Sequence, residues 1–129
     1  MELENGVIWA VWGPLQELAQ VKLPVKVSFQ IAHLAAKLRD PYGIVEGQRL
    51  GIVQKHGTKS EDGRTINIEQ GSEAHIAATT EIQELFGLCQ TVPLDEKWQK
   101  IKLPEQVDSK PLEIESRILL PLLDFVELG

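Results

Sequence analysis

The fold is decided by one stretch of the chain, LPVKVSFQIAHLAAKL, which spans residues 23–38. Leu23-Pro24 predicts the start of a long helix, because proline is tolerated in the first turn of a helix and not in its interior. At about 100° per residue, the apolar side chains that follow fall into two stripes on nearly opposite sides of this helix. One stripe contains Val27, Ile31, Leu34 and Leu38, and the other contains Val25, Phe29, Ala32 and Ala36.

The polar residues of the same stretch lie on a single edge between the two stripes. This polar edge consists of Lys26, Gln30, His33 and Lys37. A helix at the surface of a domain needs only one apolar side. We therefore expect the helix to be sandwiched between other elements of the chain or between subunits.

The long helix is expected to kink or break at Asp40-Pro41-Tyr42-Gly43. Pro41 removes a backbone hydrogen bond, and Gly43 weakens the next turn by about 1 kcal/mol relative to alanine. Helical periodicity then resumes and ends at Gly57, a predicted C-cap that follows Lys55-His56. We interpret four glycines in this half as spacing for close helix contact: Gly43, Gly47, Gly51 and Gly57.

Shorter elements are predicted on both sides of the long helix. Upstream, the apolar spacing from Val7 to Leu18 predicts an amphipathic helix, with a kink or the start of a second short helix at Gly13-Pro14. Downstream, residues 60–68 predict a small hairpin around an Asp-Gly turn. Ser72 predicts the N-cap of a helix that is closed by Gly87.

The last third of the chain predicts only short elements. Residues 91–94 and 98–104 are bounded by prolines and predict edge strands. The segment from Ser116 to Phe125 predicts a terminal helix with Ser116 as its cap, which Pro121 limits to a turn or two. The predicted fold is therefore mainly α within the α+β class: a kinked long helix packed with shorter helices, a small hairpin and short C-terminal strands.

Length and composition are typical of one globular domain, residues 1–129. The chain carries 13 basic and 19 acidic side chains and a net charge of −6. This balance argues against nucleic acid as a partner, because phosphate binding needs a surplus of lysine and arginine. The apolar runs are too short for a signal peptide or a bilayer span, so we expect a soluble cytoplasmic protein with no membrane partner.

No catalytic, metal or cofactor site is predicted. His33, His56 and His75 lack the four-residue spacing of a helical zinc site. The lone cysteine, Cys89, follows a predicted helix C-terminus, where the dipole disfavours a thiolate, and we interpret it as a small core residue. The sequence has no glycine-rich phosphate loop and no clear carboxylate pair, so we do not expect an enzyme.

Residues 23–32, Leu-Pro-Val-Lys-Val-Ser-Phe-Gln-Ile-Ala, resemble the signature of a family of small uncharacterised proteins of tailed bacteriophages and prophages. The resemblance extends to residues 48–57, to Glu61-Asp62-Gly63 and to residues 82–85, and it covers most of residues 13–95. Asp40-Pro41-Tyr42-Gly43 departs from the uninterrupted charged helix of that family. The resemblance implies a phage origin, the cytoplasm of a host cell and a small helical protein, with no catalytic residues to carry over.

Two functions fit these observations. The first is a non-enzymatic interaction protein of a phage, a small oligomeric assembly or accessory factor that binds itself and phage or host proteins. Its physical basis is the helix with two apolar stripes, since a short chain has few elements to cover both. The interface candidates are Val25, Phe29, Ala32 and Ala36, and the polar-edge candidates are Lys26, Gln30, His33 and Lys37. The alternative is a phage inhibitor that binds and blocks a host polymerase or nuclease.

Overall fold

The computed structural model describes residues 1–95 and 97–128. These residues form four α-helices and eight short strands, so the predicted α+β class with a dominant long helix is confirmed. The helices are α1 (Asn5–Leu18), α2 (Val25–His56), α3 (Glu73–Gly87) and α4 (Ser116–Leu119). The strands are β1 (Glu2–Glu4), β2 (Thr58–Lys59), β3 (Ile66–Asn67), β4 (Cys89–Thr91), β5 (Ile101–Leu103), β6 (Gln106–Val107), β7 (Lys110–Pro111) and β8 (Val126–Leu128).

Helix α2 is the central element, with 32 residues and a length of about 48 Å at 1.5 Å per residue. It runs through Pro41 without interruption, so of the predicted kink or break, the break is wrong. Pro41 is buried, and its carbonyl oxygen accepts a hydrogen bond from Gln90 Nε2 at 3.1 Å. The next residue, Tyr42, stacks on Trp12 of α1 with ring centroids 4.8 Å apart. Tertiary contacts therefore hold the helix together where its local sequence is weakest.

Helix α1 covers one side of the first half of α2. Its buried residues Ile8, Val11, Leu15 and Leu18 follow helical spacing. The helix begins at Asn5 and passes through Pro14. The second helix that Gly13-Pro14 was expected to start is therefore not present. The inward spacing of the buried residues continues across the proline, and this keeps both halves of α1 on the same core.

The remaining core comes from residues 92–126, which pack against α1 and the first half of α2. One contiguous cluster of buried apolar side chains results: Ile8, Val11, Leu15, Leu18, Ile31, Leu34, Leu38, Val92, Leu94, Ile101, Leu103, Ile118, Leu122, Phe125 and Val126. The second half of α2 packs against α3 instead. The C-terminal third thus encloses the core, although its sequence predicts little regular structure.

The hairpin and helix α3 lie close to their predicted positions. Strands β2 and β3 pair antiparallel across the Asp-Gly turn. Gly57 follows α2 as predicted, with extended backbone, and a Cβ there would clash with Ile66. Ser72 Oγ accepts a hydrogen bond from the backbone N–H of His75 at 3.1 Å, and α3 ends at Gly87. Both predicted caps of this region are confirmed.

The sequence did not predict the first strand, β1, or the last strand, β8. β1 pairs antiparallel with β4, and β8 pairs in parallel with β5. The predicted terminal helix is limited to a turn or two as expected: α4 starts at Ser116, and a 3-10 turn follows at Leu120–Leu122. The predicted cap is wrong, because Glu115 and not Ser116 occupies the N-cap position. Pro121 lies in that turn, as a helix-limiting residue should.

No helix in the described part of the chain combines the length and the apolar character needed to cross a bilayer.

Candidate functional site

The two apolar stripes of α2 have different surroundings. Ile31, Leu34 and Leu38 are buried in the core, and Val27 packs at its margin. On the other stripe, Val25 is 87% exposed and Phe29 is 70% exposed, and both alanines are exposed. The described residues therefore cover one side of the helix and leave the predicted interface stripe, Val25, Phe29, Ala32 and Ala36, open to solvent.

The exposed stripe continues beyond Pro41 as two glycines. Gly43 and Gly47 lie within about 60° of the four predicted residues on the helical wheel. A Cβ at either glycine, or at Gly51, would meet no atom within 4 Å, so these three glycines make no close helix contact within the chain, contrary to the prediction. We call the surface of Val25, Phe29, Ala32, Ala36, Gly43 and Gly47 the outer face. It extends over about 33 Å of helix.

The polar edge of α2 forms one wall of a groove. The other wall is formed by residues 93–95 and 97–102, which the sequence does not link to the helix. Three cavities of about 360, 370 and 230 Å³ lie in a row along this seam. Gln30 and Gln99 line both the first and the second cavity, and His33 and Trp98 line both the second and the third. All four predicted polar-edge residues are therefore brought together along one continuous groove.

The groove collects basic side chains from both walls. Lys26 and Lys37 come from α2, and the facing wall adds Lys97, Lys100 and Lys102. Among the described residues, Asp95 is the acidic side chain in the lining, at the Lys37 end. No ion pair within 4.0 Å joins the five lysines to a carboxylate of the described residues. A chain of net negative charge thus has a locally basic groove.

The facing wall was not identified from the sequence, although one signal for it exists. In β5 and the residue before it, exposed and buried residues alternate, with Ile101 and Leu103 inward and Lys100 and Lys102 outward. This period of two places both lysines on one side of the strand. What the pattern does not reveal is that this side adjoins α2.

His33 connects the groove to the outer face. Its ring stacks on Phe29 with centroids 6.0 Å apart and planes 16° apart. Both residues are exposed. A ligand or partner that contacts one ring therefore has direct access to the other.

The other two histidines make local contacts. His56 Nε2 contacts Glu81 of α3, and Lys55 Nζ donates to the same carboxylate at 2.7 Å. The hydrogen bond from Lys55, followed by that from His56, holds the pKa of Glu81 below its usual value. His75 Nδ1 accepts a hydrogen bond from the N–H of Gly71 at 3.3 Å. These contacts join α2 to α3 and close the turn before α3.

An aromatic cluster occupies the junction of α1, α2 and α3. Trp9 stacks on Tyr42 at 5.5 Å and on Phe86 at 5.8 Å, and the guanidinium of Arg49 lies 4.9 Å from the Trp9 ring. Burial, followed by the nearby Glu46 carboxylate, raises the pKa of Tyr42. The cluster fills the space between the helices and has no opening comparable to the groove among the described cavities.

Cys89 is exposed, so its interpretation as a core residue is wrong. It lies on β4, where alternate side chains point to opposite sides. The inward position belongs to Gln90, whose amide donates to Asn5 Oδ1 at 2.9 Å and to the Pro41 carbonyl. Because the Gln90 side chain points inward to make these hydrogen bonds, the side chain of the neighbouring Cys89 points outward.

Within residues 1–95 and 97–128, no group of three or more His, Cys, Asp or Glu side chains is arranged to hold a metal ion. Comparison of the chain with protein-family models, with curated proteins and with solved structures finds no match.

Proposed function

We propose that the protein is a non-enzymatic interaction protein that self-associates through the outer face of α2 and acts as a small assembly or accessory factor. The observation that supports this is the exposure of an apolar face, including Phe29 at 70%, along the longest helix. Exposed apolar surface of this kind typically marks a protein interaction site. The small residues of the face allow a second backbone to approach closely.

A second copy of the chain fits this face in an antiparallel arrangement. Homodimers usually have twofold symmetry, so a residue above the axis meets one equally far below it. We place the twofold axis beside Leu38. Phe29 lies nine residues before Leu38 and Gly47 lies nine residues after it, so Phe29 of one copy is at the same height along the helix as Gly47 of the second copy. The largest side chain of the outer face then lies over a position with no side chain.

The same register is consistent with the charges beside the outer face. Lys37 and Asp40 line a depression next to Ala36. In the antiparallel arrangement, Lys37 of one copy comes within one residue of the level of Asp40 of the other. The Lys37 and Asp40 pairs favour this register over a parallel one, in which each of them meets its own equivalent, whereas Arg39 comes close to its own equivalent in both arrangements.

Self-association is tested by light scattering after size exclusion and by sedimentation equilibrium. We expect a dimer at micromolar concentration, and we expect Phe29→Glu to make it monomeric, since it places one buried charge in each of the two symmetric Phe29 contacts. The matched control is Ile76→Glu, which alters an apolar side chain of similar exposure, 60%, on α3. A chain that is monomeric at all concentrations, or that dissociates equally with Ile76→Glu, would refute the proposal.

The antiparallel register is tested by cysteine cross-linking. With Cys89 replaced by serine, a chain carrying Ala32→Cys is mixed with one carrying Gly43→Cys, because these positions differ by one residue in level across the proposed axis. We expect disulfide formation in the mixture and not in either variant alone, as bridging requires Cα atoms within about 7 Å. Equal cross-linking of Ala32→Cys with itself would indicate parallel helices and contradict the register.

The proposal includes a phage origin, which rests on the family resemblance of residues 23–32 and of the later segments named above. Its test is affinity purification of the protein from an infected host. Recovery of the protein itself or of virion components supports an assembly or accessory factor. Recovery of a single host polymerase or nuclease supports the inhibitor instead.

A further inference from the structure

The groove beside α2 has two chemically different ends. At one end, the cavity of about 360 Å³ is lined by Lys26, Lys100 and Lys102, together with Val27 and the amides of Gln30 and Gln99. At the other end, the apolar part of the lining of the cavity of about 230 Å³ consists of Leu34, Pro93, Leu94 and Trp98. The first end is suited to carboxylates, and the second is suited to an apolar side chain.

The separation of the two ends limits the size of the ligand. Lys26 and Leu34 are eight residues apart on α2, which corresponds to about 12 Å. An extended polypeptide advances about 3.3 Å per residue. A peptide that spans the groove therefore has three to four residues from its acidic group to its apolar anchor.

The middle of the groove is lined by side-chain amides. Gln30 and Gln99 lie on opposite walls and line both adjoining cavities. An amide offers two N–H donors and one carbonyl acceptor. These are the groups that pair with the N–H and C=O groups of an extended backbone, which has no partners of its own.

We propose that this groove binds an extended acidic segment of a partner protein, with its carboxylates against Lys26, Lys100 and Lys102. A large apolar side chain three to four residues away occupies the cavity floored by Trp98. The site is separate from the outer face, so it gives the protein a second binding surface for a different partner.

The lining favours a peptide over a nucleic acid. Three of the five lysines lie at one end and Lys97 lies in the middle, whereas Lys37 at the other end is accompanied by the carboxylate of Asp95. Trp98 packs edge-on against Phe125, with centroids 5.8 Å apart, and is only half exposed, so its ring is not a free stacking platform. A single strand needs basic side chains along its whole path and exposed rings for its bases.

The proposal is tested with a fluorescein-labelled peptide, Asp-Glu-Asp-Ser-Gly-Leu-Gly, and with the peptide of reversed order, by fluorescence anisotropy. We expect one of them to bind with a dissociation constant below about 1 mM and more weakly as salt is raised, because the contacts are between exposed charges. Replacing its acidic residues by lysine should abolish binding. Replacing its leucine by glycine should weaken binding about tenfold or more, the loss typical of one buried apolar anchor.

Charge reversal in the protein locates the site. Lys26→Glu with Lys102→Glu should weaken binding of the acidic peptide at least tenfold, since attraction is replaced by repulsion at two contacts. The matched control is Lys59→Glu with Lys110→Glu, which makes the same change in net charge at exposed lysines on β2 and β7. Circular dichroism checks that both variants remain folded.

Three results would overturn the proposal. One is the absence of binding by either peptide up to about 1 mM. Another is equal weakening by the control pair, which would mean that only net charge matters. The third is tighter binding of a single-stranded oligothymidylate than of either peptide, which would assign the groove to nucleic acid.

Discussion

The inner and outer faces of α2 belong to the same helix but have opposite environments. The inner face contributes Ile31, Leu34 and Leu38 to the core, with at most 2% of each residue exposed. The outer face leaves Phe29 and Val25 in solvent. In the sequence, both faces are apolar over residues 25–38, although the outer face has alanines at two positions and the inner face has only larger aliphatic residues.

This difference shows what hydrophobic pattern can and cannot specify. A stripe of apolar residues indicates a surface that is suited to burial, but it does not identify the covering element. Here α1 and residues 92–126 can reach only one side of the helix. The difference between the faces therefore depends on the rest of the chain, and mutations on each face should have separate effects.

The largest effect is expected for Leu34→Ala on the inner face. Removing this buried side chain loses transfer free energy and leaves a cavity, so the free energy of unfolding should fall by about 2–5 kcal/mol in urea denaturation. His33→Ala, one residue away and exposed, should cost less than about 1 kcal/mol. Similar losses for the two variants would mean that the inner face is not energetically distinct from the exposed polar edge.

The second-largest loss of stability is expected from the hydrogen bonds of Gln90 at the edge of the inner face. Gln90→Ala removes the donor to Asn5 Oδ1 and to the Pro41 carbonyl, and unpaired buried polar groups cost about 1–3 kcal/mol. Urea unfolding measures this loss. Gln99→Ala, which removes an exposed amide in the groove, is the control and should change stability by no more than about 0.5 kcal/mol. An equal effect at both positions would show that the network does not hold α2 across Pro41.

A glycine of the outer face should respond in the opposite direction. Gly47→Ala should raise the stability of the monomer by about 0.5–1 kcal/mol, because alanine favours helix and its Cβ meets no atom within 4 Å. The same methyl group should weaken self-association, since it occupies the space proposed for Phe29 of a second copy. Thermal unfolding of the dilute protein and sedimentation equilibrium measure the two effects. Unchanged association would contradict the proposed contact.

The smallest effect is expected at the C-terminal end of α2, where the helix is only half-buried against α3. The pKa of Glu81 is lowered from 4.5 by Lys55 and His56, so the unfolded chain binds the proton more tightly than the folded one. This contribution to stability is present above about pH 4.5 and is lost as the pH falls through the lowered pKa. Glu81→Gln should therefore reduce the acid sensitivity of urea unfolding between pH 3 and pH 6, and an unchanged pH profile would contradict the assignment.

The elements with strong local signals were predictable from sequence. The hairpin followed from its Asp-Gly turn, and α3 from Ser72 and Gly87. The continuity of α2 was not predictable from sequence. It depends on Gln90 and Tyr42, whose contacts with other elements have no local signature. β1 and β8 were missed for the same reason: three-residue strands are defined by their partners.

The candidate sites divide in the same way. Helical periodicity identified the residues of the outer face as far as Ala36, and it identified the polar edge. It did not extend the face to Gly43 and Gly47, because the expected break at Pro41 separated the two halves of the helix. Nor did it bring Lys100 and Lys102 to Lys26, since long-range packing is not encoded in the spacing of either segment.

The contact between Asn5 and Gln90 also has a consequence for the order of folding. It joins residues 85 positions apart, close to the antiparallel pairing of β1 with β4. Closing a loop of that length costs about 4 kcal/mol of chain entropy, whereas α1 and α2 are joined by only a few residues. During synthesis, α1 and α2 can pack together early, whereas β1 can pair only after β4 has left the ribosome. The residues of β1 are thus made before those of β4 but reach their final place only after them.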